Sequence, residues 1–277
     1  MADVPDVPRT LVLPPRLTAS ARRLRDAAVR RGLHVVESAG FSVPELSRAP
    51  QGRAVHLRAG AVHLHAGPTF ADAVAPALGI APLEAPADWL ARLPYAFTRR
   101  EIRALPIGEA YLLRRPAFIK SPNDKSISAL VYADGSRLPG PDAVAPQTVV
   151  LVSDVMTFAA EYRLHLLDGA VHTGSRYAAG GRLRLGPPTP DALAFGRDLL
   201  AAARQTLPSA IVVDVGVDNE GRWAVVEANA AWGSGCYGAD PDRALDTVLR
   251  AAGPVTELCA YDRDFVRRPL RDDRPPS

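Results

Sequence analysis

The chain has 277 residues, 47% of them hydrophobic, with a formal net charge of +3. That length and apolar share suffice for a buried core in one large domain or two or three subdomains. With no basic run interleaved with aromatics, no apolar run long enough to span a bilayer and no apolar leader in "MADVPDVPRT", a soluble cytoplasmic protein without nucleic-acid or membrane partners is expected.

Residues 1–9 and the proline-rich end from 263 onward are expected to be tails. "TLVLPP" reads as a buried strand. "TASARRLRDAAVRRG" reads as a helix capped by Thr18 or Ser20 and stopped at Gly32. "LHVVES" completes a β-α-β start, "RAVHLRAG" and "AVHLHAG" add short strands, and "TFADAVAPALG" a helix, giving a small α/β lobe over 10–95. His63 and His65 share a strand face, but no carboxylate or cysteine at ligand spacing makes them a metal site. Cys236 and Cys259, the only cysteines, also lack metal spacing, and Cys236 in its glycine-rich loop reads as a small buried thiol.

A second unit is expected over 96–155, with helix "TRREIRALPIGEA", strands "AFIK" and "SISALVYA", and the apolar strand "TVVLVSDV". A third, over 156–262, opens with "EYRLHLLDGAVHTGSRY", where Asp168-Gly169 favours a two-residue type I′ turn. Helix "PDALAFGRDLLAAARQTL", hairpin "AIVVDVGVDNEGRWAVVEAN", the glycine-rich "AAWGSGCYGAD" and helix "PDRALDTVLRAAG" follow.

Alternation in the second hairpin places Val225, Glu227 and Asn229 on one face and Val212, Asp214, Gly216 and Asp218 on one face of its partner strand. A loop from Asn219 to Arg222 sets Asp214 opposite Glu227, whereas a three-residue bulged loop would separate them. Two acids and an amide among apolar strands are costly unless paired or metal-bound, and three such oxygens suit Mg²⁺. In the first hairpin, a regular ladder pairs Arg163 with Gly174 and Glu161 with Arg176. Glu161, Arg163, His165, His172 and Arg176 then share one side. That side is either a solvated surface with cross-strand pairs or the lining of an anion site.

Only two lysines occur, Lys120 and Lys125, both in "FIKSPNDKS". Two ammoniums facing two metal-binding carboxylates meet the requirements of a polyphosphate. No Walker-type loop or dinucleotide glycine fingerprint is present.

The order of these features resembles the ATP-grasp superfamily over roughly residues 96–252. A lysine strand comes first, then an apolar strand with a polar end, a Glu-Tyr-Arg hairpin, and Asp214 with Glu-x-Asn thirteen residues later. The chain is most similar to a little-characterised prokaryotic and phage clade of that superfamily. The resemblance implies an ATP-grasp fold, with two α+β lobes clasping ATP behind a small α/β lobe. It implies Mg²⁺ on Asp214, Glu227 and Asn229, and Lys120 on the α- and β-phosphates. Arg100 or Arg99 would be a further cationic contact, Ser153, Asp154 and Val155 the adenine-binding hinge, and Glu161 a neighbour of the ribose.

Two departures bear on the chemistry. The phosphate loop "SPNDKSIS" has no glycine, so Lys125 is expected to take over its backbone contacts. Val212 stands where many carboxylate ligases carry arginine, which leaves stabilisation of an acyl phosphate to Arg163 or Arg176. The implied activity is an ATP- and Mg²⁺-dependent ligase joining a small-molecule or peptide carboxylate to an amine or similar nucleophile. The alternatives are a phosphotransferase on the same fold and a non-catalytic ATP-binding module.

Overall fold

The structure is a computed structural model that describes residues 9–44, 61–123 and 126–268. Lys125 and the strand expected in "RAVHLRAG" lie outside those residues. Strand β1 (Thr10–Leu13), helix α1 (Ala19–Arg30), β2 (His34–Glu37) and β3 (Val62–Leu64) build a parallel sheet of order β2-β1-β3. Thr18 is the cap of α1, its hydroxyl accepting from Ala21 N, and Gly32 ends the helix with φ at +75°. Helix α2 (Pro68–Val74) and strand β4 (Ile80–Pro82) follow.

After two single-turn helices, α3 (Trp89–Arg92) and α4 (Tyr95–Thr98), comes a correction. The helix expected over 98–110 is instead strand β5 (Ile102–Pro106) with one turn of helix, α5 (Ile107–Ala110), behind it. Pro106 explains this, because its ring would clash with a carbonyl one helical turn back and its nitrogen has no proton to donate. β5 joins β6 (Ala117–Lys120), β7 (Leu130–Tyr132) and β8 (Val149–Ser153) in an antiparallel sheet of order β5-β8-β6-β7. One face of that sheet packs through Ile107, Ile119, Ile127, Val150 and Val152.

The largest sheet contains β9 (Ala160–Leu167), β10 (Ala170–Ala179), β11 (Arg182–Gly186), β12 (Ala210–Val217) and β13 (Trp223–Asn229) in the order β11-β10-β9-β12-β13. Asp168 and Gly169 take φ of 49° and 81°, as the expected type I′ turn requires. Gly180 and Gly181 turn β10 into β11 the same way, at 57° and 69°. Helix α6 (Pro190–Ala203) covers one face, where Tyr162, Leu164, Val213, Val215 and Leu199 form the main core. On the opposite face Val212 packs with Val12, Leu64 and Trp232, which seats the first sheet over one end. The rest of that face turns toward the four-stranded sheet.

Helix α7 (Pro241–Ala251) leads into β14 (Ala252–Pro254), which pairs with β4. Residues 263–268, expected as part of a tail, are instead packed onto the rest of the chain. Val266 bridges to Leu83, and buried Arg267 binds Asp72 (2.7 and 2.9 Å) and Glu84 (2.6 Å). Three ionic hydrogen bonds hold this segment against the first unit. No helix among the described residues is long and apolar enough to cross a membrane.

Candidate active site

Four strands place one row of polar residues on the face that turns toward the small sheet. Ser175 on β10 pairs with Arg163 on β9, Arg163 with Asp214 on β12, and Asp214 with Glu227 on β13. The Asp214–Glu227 register is as expected, though by a different route. The loop is the shorter kind, with Asp218 N donating to Arg222 O and Val217 pairing Trp223. A bulge between the Asp214 and Val215 pairings then inserts Val226 and restores the two acids to opposition. The same bulge moves Val225 to the core face, away from Glu227.

Asp214 is only 1% exposed, and its carboxylate is held by Arg163 in a bidentate fork, Nε to Oδ1 at 2.8 Å and Nη2 to Oδ2 at 2.7 Å. Burial pushes the Asp214 carboxyl up to about 6, and the guanidinium checks a further rise, so the group is ionised at neutral pH. Burial also acts on Glu227, but the Lys120 ammonium and the Asn229 amide hold that carboxyl below its ordinary value. Lys120 reaches Glu227 Oε2 from the end of β6, so one ion pair joins the two sheets. Asn229 Nδ2 donates to Glu227 Oε1 (2.8 Å) and Asp214 Oδ2 (3.3 Å).

This donor set fits a magnesium ion. No three His, Cys, Asp or Glu side chains converge among the described residues. The Asn229 amide bridges the two carboxylates through its Nδ2 hydrogens, and its Oδ1 would be the third oxygen donor to such an ion. Mg²⁺ takes one or two carboxylates and completes its octahedron with water and phosphate oxygens. A cavity of about 440 Å³ opens beside the group, lined by Lys120, Ser121, Glu227, Asn229 and Ser234. A second cavity of about 430 Å³ lies at the far end of β9, by Asp168 and Arg250, away from these groups.

The first hairpin departs from the regular ladder. His172 leaves the β10 ladder to meet Asp246 Oδ2 at 2.9 Å, and a second irregularity falls at Tyr177. Arg163 therefore faces Ser175 rather than Gly174, and Glu161 faces Ala178 rather than Arg176. Arg176 pairs with Tyr162, whose ring belongs to the core face, so the arginine lies on the side opposite Arg163. Its Nε donates to Arg184 O at 3.2 Å. The expectation that both arginines share the site face is corrected for Arg176.

Arg100 donates to the carbonyls of Thr98 (2.9 Å), Val225 (2.9 Å) and Val226 (3.3 Å), and so clamps the β13 bulge. Burial without a carboxylate lowers its guanidinium to about 10. Arg99 is exposed, in the left-handed conformation that ends α4. Ser153 is the buried last residue of β8. Asp154 accepts from Glu101 N and Arg115, Val155 is exposed, and the chain then crosses to β9. Glu161 accepts from the Tyr177 hydroxyl at 2.7 Å.

Tyr177 and Tyr237 belong to no motif legible in the sequence, yet both stand at the site. Their rings stack at 5.2 Å, and the Arg163 guanidinium lies 4.9 Å from the Tyr237 ring centre and 5.7 Å from that of Tyr177. Tyr237 has φ of +44°, an uncommon state for a bulky residue. It sits in the glycine-rich loop, where Tyr237 N donates to Ser20 Oγ (3.3 Å) and Gly238 N to Ser175 Oγ (3.2 Å). Cys236 is buried beneath this loop, as expected.

Residues 97–247 match a family model described as an ATP-grasp domain, the second family of its clade. A search of curated proteins finds no match. Among solved structures, the chain is similar to D-cycloserine synthetase DcsG, with a TM-score of 0.54 and 14% identity over 87% of this chain and 98% of that one. It is also similar to an L-amino acid ligase from Bacillus licheniformis (TM-score 0.49, 16% identity, 81% of this chain and 67% of that one). The ATP-grasp ligase PsnB complexed with minimal precursor gives 0.47 and 15%, over 87% and 99%. At 14% identity the likeness to D-cycloserine synthetase DcsG is one of fold.

Proposed function

The chain belongs to this ATP-grasp domain family, and from that premise we propose that it is an ADP-forming ligase. It activates a carboxylate as an acyl phosphate and joins it to an amine or similar nucleophile. The observation that carries this reading is the Arg163–Asp214–Glu227 row with Asn229 beside it and Lys120 reaching in from the facing sheet. When bound, magnesium would neutralise charge on the transferring phosphoryl group. Asp214, Glu227 and Asn229 are the oxygen donors that would hold it.

Lys120 places a compact ammonium at the mouth of the cavity, where it binds phosphate oxygens in exchange for Glu227. Lys125, five residues further along the sequence, adds a second ammonium in this reading. Ser153, Asp154 and Val155 present backbone groups to adenine, and Glu161 lies toward the ribose. Arg163 orients Asp214 through its fork, and its Nη1, which donates to Gly235 O at 3.4 Å, is the group proposed to stabilise the acyl phosphate. This reading gives no part to Arg176, which lies on the other sheet face, or to Arg100, which donates to backbone carbonyls.

Product analysis over a panel of acids and amines tests the proposal. The expected result is ADP, phosphate and a new amide only when acid and amine are both present. ADP together with a phosphorylated hydroxyl compound would instead identify a phosphotransferase, and ATP binding without turnover a binding module.

A further inference from the structure

β11 is the outermost strand of the five-stranded sheet and pairs only with β10, so its outer edge has no strand beside it among the described residues. Every residue from Arg182 to Leu185 is exposed, with Leu183 at 73% and Leu185 at 51%. Arg182 and Arg184 alternate with these leucines, so the strand shows water one basic and one apolar side. β11 contains no proline to block the edge. An open row of backbone donors and acceptors flanked by alternating side chains is how a sheet receives an extended chain.

Charge decides what kind of chain fits. Antiparallel pairing of β11 with its own copy, centred on Leu183, would set Arg182 against Arg184 twice, and like charges directly opposite destabilise a pair. An acidic strand instead meets both arginines with the opposite sign. Position ties the edge to the chemistry. A Cβ placed on Gly238 would lie 3.6 Å from Gly186 O at the end of β11 and 3.4 Å from Ser175 Cβ. Tyr237, one residue before Gly238, covers Arg163. The end of β11 thus abuts the loop that walls the Asp214 site.

We propose that β11 is a docking edge and that the substrate is an acidic, extended polypeptide segment that adds to the sheet as a sixth strand. The substrate identity, though not the docking edge, rests on the ligase reading above. The test is fluorescence anisotropy on the full chain without nucleotide, with a labelled peptide of Asp-Val repeats as the probe. A Lys-Val peptide and an Asp-Val peptide with proline at alternate valines are the controls.

Binding of the acidic probe about tenfold or more tighter than either control is expected, with a comparable loss in the R182E/R184E variant. Unchanged thermal melts and unchanged calorimetric ATP affinity would show that this variant is folded. Equal binding of the basic probe, no binding of the acidic one, binding indifferent to charge reversal, or dimers in light scattering that R182E/R184E dissociates would each overturn the proposal. ATP turnover is read separately. A protein that binds the probe but never forms ADP would sink the ligase reading alone, and one that forms ADP but ignores the probe would sink the docking edge alone.

Discussion

Glu227 is shared between an ammonium and an amide, Lys120 on one oxygen and Asn229 on the other. Glu227→Gln preserves its shape and removes its charge. The fold should survive while, on the proposed function, ADP formation drops by several orders of magnitude in a coupled assay, because one of the two charged donors proposed for the metal is lost. Activity like wild type would take Glu227 out of the metal site. Arg163 and Arg176 should behave unlike each other. Arg163→Ala strands the buried Asp214 carboxylate and should cost about 3–5 kcal/mol in denaturant titrations. Arg176→Ala removes a contact to Arg184 O near the surface and should cost under about 1 kcal/mol, with the rate unchanged. Equal losses in the two variants would contradict the face assignment.

Strand by strand, alternation was legible wherever the ladder is regular and misled wherever it is not. The pairing of the Asp214 and Glu227 strands follows from the apolar runs, but the opposition of the two acids does not follow from loop length, because the three-residue loop offsets them and the bulge at Val226 restores it. The turn at Asp168-Gly169 follows from its two residue types. The His172 and Val226 bulges follow from neither, since each depends on groups distant in sequence, Asp246 for one and Arg100 for the other. The Arg163–Asp214 fork could not be read because strand order is not written in alternation. β11, by contrast, does carry a sequence signal, the Gly180-Gly181 pair that fits a type I′ turn. Arg100→Met tests the clamp on β13. Losing the guanidinium leaves the Val225 and Val226 carbonyls without their donor and should cost about 1–3 kcal/mol in melts. Faster amide exchange at Ala228 and Asn229 should accompany it. If exchange there is unaltered, Arg100 does not hold the bulge.

Across the whole molecule, buried histidines make the assembly of sheets sensitive to acid. His65 in the first sheet and His165 in the largest are fully enclosed, which pushes their ring pKa values down to about 4 and about 3. His65 Nδ1 and both nitrogens of His165 lack hydrogen-bond partners. A base with a depressed folded pKa contributes stability that is complete above about pH 6.5 and is lost as pH falls through the folded value. By pH 5 that loss is about 2 kcal/mol for each histidine, against about 1 kcal/mol regained as Asp214, raised to about 6, takes up its proton. Net destabilisation between pH 7 and pH 5 is therefore expected in urea titrations. His165→Leu should flatten it without lowering stability at pH 7.5, because neither ring nitrogen has a partner to lose. A wild-type slope in that variant would acquit His165.

The ion pair between Lys120 and Glu227 also makes the resting protein its own competitor. The ammonium sits on a carboxylate that an incoming divalent cation would claim, and it is anchored on the opposing sheet. Capture of such a cation would displace the ammonium in a single exchange, so the first encounter with nucleotide should quicken as added salt loosens the pair and slow once that salt screens the phosphates as well. A capture rate that peaks at intermediate ionic strength in stopped-flow fluorescence, and only declines in Lys120→Met, would be the kinetic signature of that self-inhibition.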